Sequence, residues 1–311
     1  MREINLTIVK VCDEAISRYQ KKRLLRHLSL LPQESLLAMT KPLTNMDILQ
    51  KIIAHKEKEV AERKGLFPPK LLEQSIYFES KTVSLKKYLL REDKSGIIAE
   101  FKRKSPSKGV INAHAKVERT TIGYMQAGAS ALSVLTDTEF FGGKNEDLST
   151  ARKFNFCPVL RKDFIIDEYQ IIEAKSIGAD AILLIAACLT PERLKELATF
   201  AKRLQLEVLM EIHNEEELHP YLSPDLDVVG VNNRNLKTFE TSIETSKMLV
   251  DKIPNEFVKI SESGISDPAT IVELKKAGFQ GFLIGETFMK TGRPERAAAE
   301  FIEAVQKQLS V

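Results

Sequence analysis

Residues 96–109 read GIIAEFKRKSPSKG. Ile97-Ile98-Ala99 opens a strand too apolar to have a solvated face, and the run then breaks into charge at Glu100, Lys102 and the Lys104-Ser105-Pro106-Ser107-Lys108-Gly109 loop. A strand covered on both faces belongs to a parallel sheet flanked by helices. The charged residues that end it then need a purpose.

Seven more runs of the same kind follow, so strands are expected at 97–101, 131–135, 158–160, 181–185, 207–211, 228–231, 258–261 and 281–284. Between and after them, helical spacing of apolar residues predicts helices near 117–127, 146–154, 168–177, 192–204, 215–221, 242–250, 269–277 and 296–308. Gly128, Gly178 and Gly278 stand just past three of these helices, where a left-handed residue closes the last turn. Eight βα units with no GxGxxG after the first strand predict an α/β fold of the closed (β/α)8 type, a TIM barrel, rather than an open doubly wound sheet. Residues 46–311 form this single domain. It includes additional N-terminal helices in 46–92, one at the start and one near 84–90, read as capping one end of the barrel. The charge run at 51–64 reads as a solvated helix face. Residues 1–45 fit no part of the pattern and read as an extension, disordered or a mis-assigned beginning, with Met46 as an alternative start.

Composition excludes several classes. The longest apolar run, 181–189, is well short of the ~20 residues that cross a bilayer. Lys10 and Arg18 interrupt the early hydrophobicity, so a secretory signal is not expected and the address is cytoplasmic. Cys12, Cys157 and Cys188 are isolated, which argues against a disulfide frame or a zinc site. Of the net +3, residues 1–45 carry +4 and residues 46–311 about −1, so no basic face for nucleic acid is expected in the barrel. The expected partner is a small phosphorylated molecule, acting on a monomer or weak homo-oligomer.

Barrel enzymes meet their ligands at the carboxyl ends of the strands. Strand one ends in Glu100 and Lys102, whose spacing puts both on one face, toward the barrel mouth. Strand three supplies Lys162, strand five Glu211, strand six Asn232 and Arg234, strand seven Glu262 and Ser263-Gly264, and strand eight Gly285-Glu286. A ring of buried charges without a ligand is costly, so their convergence points to catalysis. Ser263-Gly264 and Gly285-Glu286 match the anion seat that barrels build after strands seven and eight, with the Glu286 carboxylate turned away. Phe141, in Phe140-Phe141-Gly142-Gly143, reads as an aromatic wall of the pocket. His213 and His219 are too far apart in register for a metal, and His55 and His114 read as surface residues. These residues alone leave open a sugar-phosphate isomerase, a lyase using Lys162 as a Schiff base, or an inactive barrel kept as a binding subunit.

The segments IIAEFKRKSPSKG, FFGG, PVLRKDFIID, LMEIHNEEEL, GVNNRNLKTFE, ISESGI and FLIGETFM, taken in order, resemble the indole-3-glycerol-phosphate synthase family over essentially all of 46–311. The resemblance implies a (β/α)8 barrel and a carboxy-lyase of tryptophan biosynthesis, without metal or organic cofactor. It closes 1-(2-carboxyphenylamino)-1-deoxyribulose 5-phosphate to indole-3-glycerol phosphate, carbon dioxide and water. By the same resemblance Lys162 is the general acid for ring closure, and Glu211 and Lys102 share the acid/base work of dehydration. Glu100 and Asn232 orient them, Ser105 and Arg234 meet the anthranilate carboxylate, and Ser263 lines the site beside Gly264 and Gly285. Which of Lys102 and Glu211 protonates the departing hydroxyl stays open.

Overall fold

A computed structural model describes residues 47–236 and 238–310, so the extension expected at 1–45 lies outside the described residues. The chain enters through helices α1 (Ile48–Leu66), α2 (Pro69–Leu72) and α3 (Leu85–Leu89). Strand β1 (Ile97–Phe101) leads into a small hairpin of β2 (Lys104–Ser105) and β3 (Gly109–Val110), and then α4 (Val117–Gln126). There follow β4 (Ala131–Leu135), α5 (Asn145–Phe154), β5 (Val159–Lys162), α6 (Glu168–Ser176), β6 (Ala181–Ile185) and α7 (Pro191–Arg203). The last units are β7 (Glu207–Ile212), β8 (Val228–Asn232), α8 (Glu244–Leu249), β9 (Val258–Glu262), α9 (Pro268–Ala277), β10 (Gly281–Ile284), α10 (Glu286–Met289) and α11 (Pro294–Leu309). The strands run β1-β10-β9-β8-β7-β6-β5-β4 around a closed parallel barrel. The sequence-based expectation of a TIM barrel holds.

Strand parity sorts the side chains into two apolar layers. Ile98, Leu160, Leu209 and Ile260 fill the inside of the barrel, with Leu85 and Leu89 of α3 closing it at the amino end. Ile97, Ala99, Leu132 and Ile182 face outward into the larger cluster under the helices. Continuing the inward parity one or two steps along each strand reaches Glu100, Lys162, Glu211, Asn232 and Glu262. The charged layer therefore lies directly above an apolar plug.

Four expectations need correction. Strands β5, β7, β8 and β9 run one or two residues further than the expected ends at 160, 211, 231 and 261. The ladder continues through Leu135↔Lys162 and Asn232↔Glu262, because these polar groups are sheltered and paired. The helix expected at 215–221 is replaced by turns and a single 3-10 turn, His219–Tyr221. Asn214 Oδ1 accepts the Glu217 N–H at 3.0 Å and Glu217 accepts the His213 N–H at 2.8 Å, side-chain bonds that compete with a helical turn. The N-terminal helices do not share one end: α3 closes the amino end, whereas Ile48, Leu49 and Ile52 of α1 line the carboxyl-end cavity. The face at 51–64 is not wholly solvated, since Lys56 is fully buried.

Candidate active site

A cavity of about 580 Å³ opens at the carboxyl end, within the size range of small-molecule sites. Glu100, Lys102, Lys162, Glu211, Asn232 and Glu262 line its floor, and Ser105, Phe141, Arg234, Ser263, Gly264, Gly285 and Glu286 line its sides. All thirteen residues singled out from the sequence thus meet one space.

Lys162 lies at the centre of the floor. Its Nζ is 2.7 Å from Glu211 Oε2 and 3.3 Å from Glu262 Oε2. Asn232 Nδ2 donates to the other Glu211 oxygen at 3.1 Å, and Lys102 Nζ pairs with Glu100 Oε1 at 2.6 Å. Burial opposes the charge on Lys162, but the carboxylates of Glu211, Glu262 and Glu100 outweigh it and hold the lysine above its ordinary value. Burial likewise raises Glu211, yet Lys162, His213 and the Lys162 and Asn232 hydrogen bonds prevail, and it stays ionised well below the usual carboxylate range. Glu262 goes the other way: burial dominates, Lys162 only partly relieves it, and the negative charges of Glu211 and Glu100 add to the upward push. The two carboxyl groups are thus pushed in opposite directions, and separated affinities suit one base and one acid.

Glu262 Oε1 is buried and has no hydrogen-bond partner among the described residues. It lies 2.3 Å from where a side chain on Gly230 would begin, so only glycine fits beneath it. A carboxyl group with a raised native affinity for its proton is ionised at a cost, so this contribution makes stability fall as pH rises from the ordinary carboxylate range through the raised value. Glu262→Gln is expected to remove that slope and stabilise the fold at pH 9 relative to the parent by roughly 1–3 kcal/mol, with little difference at pH 5. Urea titrations at the two pH values check this, and an unchanged slope contradicts it.

The sides of the cavity are set by backbone. Ser263 and Gly264 are consecutive left-handed residues with φ of 68° and 76°. For Ser263 that is a strained conformation of the sort kept at sites. Buried Asn233 holds this turn by donating to Ser261 Oγ and to the Ser263 carbonyl, each at 3.0 Å. Gly285 is required for space: an added Cβ would fall 2.5 Å from Glu100 Oε1. The hairpin after β1 folds over the opening, where Arg234 Nη1 donates to Ser107 Oγ at 2.9 Å. The Glu286 carboxylate does not turn away as expected from the sequence; it reaches Arg234 Nη2 at 3.5 Å, because the guanidinium is the cation nearest it across the mouth. Phe141 packs against Phe164 with ring centroids 5.8 Å apart.

Sequence reasoning missed several contributors. Ile48, Leu49 and Ile52 come from outside the βα repeat, and nothing in that repeat announces them. His213, which its spacing from His219 excludes as a metal ligand, has its Nε2 3.5 Å from Glu211 Oε1, close without hydrogen-bond geometry, and its Nδ1 meets Glu217 at 3.1 Å. Its place two residues after Glu211 on an inward parity was the available signal. His114 is exposed and His55 is half-buried, with its ring edge-on to Phe140. Among the described residues no group of three His, Cys, Asp or Glu is arranged to hold a metal ion, and no helix is long and apolar enough to cross a membrane.

The family model for indole-3-glycerol phosphate synthase matches residues 49–301. The chain belongs to the indole-3-glycerol phosphate synthase family. An indole-3-glycerol phosphate synthase from Bacteroides thetaiotaomicron is 52% identical over 260 residues, covering 84% of this chain and 99% of the relative. One from Caldanaerobacter subterraneus is 41% identical, covering 83% and 99%. Among solved structures, the 3-hexulose-6-phosphate synthase of Salmonella typhimurium superposes with a TM-score of 0.54 at 11% identity, over 68% of this chain and 98% of that one, a likeness of fold alone.

Proposed function

We propose that this enzyme closes 1-(2-carboxyphenylamino)-1-deoxyribulose 5-phosphate to indole-3-glycerol phosphate, releasing carbon dioxide and water. The observation that carries the reading is the Lys162 ammonium held between Glu211 and Glu262 on the floor of a cavity with an apolar wall. The ring carbon bearing the carboxylate attacks the ribulose C2 carbonyl, a weak electrophile until its oxygen gains a proton. Lys162 supplies that proton and stabilises the developing oxyanion, a contribution of roughly 10²–10³ in rate for a well-placed donor. Loss of carbon dioxide then restores the aromatic ring. The remaining hydroxyl departs as water after protonation, and a ring proton leaves to the base. Glu211, ionised and fixed by Asn232, suits the base; Lys102, held by Glu100, suits the donor to the hydroxyl.

The substrate's two anionic ends have separate seats in this reading. The phosphate meets the turns at Ser263-Gly264 and Gly285-Glu286, and the anthranilate carboxylate meets Arg234 and Ser105, displacing Glu286 from the guanidinium. Phe141 and the α1 side chains cover the aryl ring and exclude water. We also propose that the enzyme acts in the cytoplasm, as a monomer or weak homo-oligomer. Incubation with the carboxyphenylamino-deoxyribulose phosphate is expected to produce indole fluorescence and one carbon dioxide per turnover. Absence of both, with the barrel folded, contradicts the assignment.

A further inference from the structure

Lys56 lies on α1 and does not line the cavity, yet it is the most enclosed ammonium near it. Its side chain is 0% exposed, and Nζ sits 2.9 Å from each of Glu59 Oε2, Asp137 Oδ2 and Asp163 Oδ1. Asp137 follows β4 and its Oδ1 accepts the N–H groups of Phe140 and Phe141 at 2.8 and 3.1 Å. Asp163 directly follows Lys162. Its Oδ1 accepts the Phe164 N–H at 2.8 Å, and its Oδ2 is bound by Thr136 Oγ1 at 2.6 Å and Arg161 Nη2 at 3.1 Å. One ammonium thus joins the helix that lines the cavity, the loop that carries Phe141, and the backbone that carries Lys162 and Phe164.

We propose that Lys56 is a positioning residue of the ring-closure reaction, acting through Asp137 and Asp163 to set the Phe141 wall and the Lys162 ammonium relative to each other. Three carboxylates crowd around it, with Arg161 the further cation on Asp163. Without the Lys56 charge, Asp137 and Asp163 repel across the gap between the two loops. The loops then part, and the lysine that must reach the carbonyl oxygen moves with them. Misplacement of about 1 Å in a catalytic group costs on the order of 10² in rate. The apolar face one and two turns earlier on α1, formed by Ile48, Leu49 and Ile52, is tied to the mouth by the same contact.

The inference rests on the proposed activity, so the parent enzyme is assayed first with the carboxyphenylamino-deoxyribulose phosphate. An inactive parent defeats the proposed activity rather than the role of Lys56. With an active parent, Lys56→Met is expected to lower kcat per folded molecule about 10–100-fold, with a smaller change in KM, and Lys56→Arg to recover most of the loss. Tyr169→Phe is the control. It removes the hydroxyl that donates to the Arg63 and Phe67 carbonyls at 3.0 Å each, loosening the far end of α1 without touching the mouth. It is expected to lower the unfolding midpoint and leave kcat within about twofold. Equal kcat losses in Lys56→Met and Tyr169→Phe overturn the proposal, since Lys56 then does no more than fasten the helix. Should Lys56→Met not fold, Asp137→Asn removes one of the paired charges while keeping an acceptor for the Phe140 and Phe141 N–H groups. A kcat loss of about 3–10-fold is expected there, and an unchanged kcat overturns the proposal.

Discussion

Lys162→Met is expected to lower kcat by about 10³-fold or more while the barrel remains folded. The lysine ends β5 on an inward parity, above the apolar plug, and the ladder around it is backbone. What it neutralises are the two carboxyl groups opposite. In the parent, depressed Glu211 contributes stability that is present above the ordinary carboxylate range and lost as pH falls through its lowered value. Without the ammonium that contribution disappears and ionising Glu211 becomes a cost, so the variant is expected to lose more stability than the parent as pH rises. Indole fluorescence reads the turnover, and circular dichroism at pH 5 and pH 8 reads the fold. Turnover within tenfold of the parent, or a variant unfolded at both pH values, contradicts the role. Borohydride treatment with substrate separates this chemistry from a Schiff base, because a trapped adduct on Lys162 is not expected.

Arg161→Met, one residue away, is expected to do the reverse. Arg161 takes the outward parity and is 2% exposed, beneath α6. It donates to Glu173 Oε2 at 2.6 Å, Asp163 Oδ2 at 3.1 Å, Thr136 Oγ1 at 3.0 Å and the Gln170 carbonyl at 2.7 Å. The paired charges shift together: burial works against both Arg161 and Glu173, and their mutual attraction overcomes it, raising the one and lowering the other. Removing the guanidinium takes one of two cations from each of two buried carboxylates, leaving Arg63 on Glu173 and Lys56 on Asp163, which costs about 3 kcal/mol. Denaturant titration is expected to show that loss, with KM of the folded fraction close to the parent's. A stability change under 1 kcal/mol contradicts it.

The contrast between these neighbours shows what the sequence made legible. The uniformly apolar strands and the repeated βα rhythm are enough to close the barrel, and parity, a local property, is enough to aim Glu100, Lys102, Lys162 and Glu211 at one mouth. Strand ends are harder to place, because a polar side chain looks like a loop until its partner across the barrel is known. The burial of Lys56 is hidden for the same reason: two of its three carboxylates come from the turns after β4 and β5, and pairing across some 80 to 110 positions leaves no periodic trace. The 215–221 segment has helical composition, but Asn214 and Glu217 spend their side chains on local backbone, and Pro220 lacks a donor.

The inward groups divide evenly along the chain. Glu100, Lys102 and Lys162 precede the short turn at Ala186–Cys188, and Glu211, Asn232 and Glu262 follow it. A gene severed within that turn encodes two halves, neither of which holds both Lys162 and its Glu211 counterpart. Product formed on mixing the halves is then a direct readout of fragment complementation, with a background set only by contaminating intact enzyme.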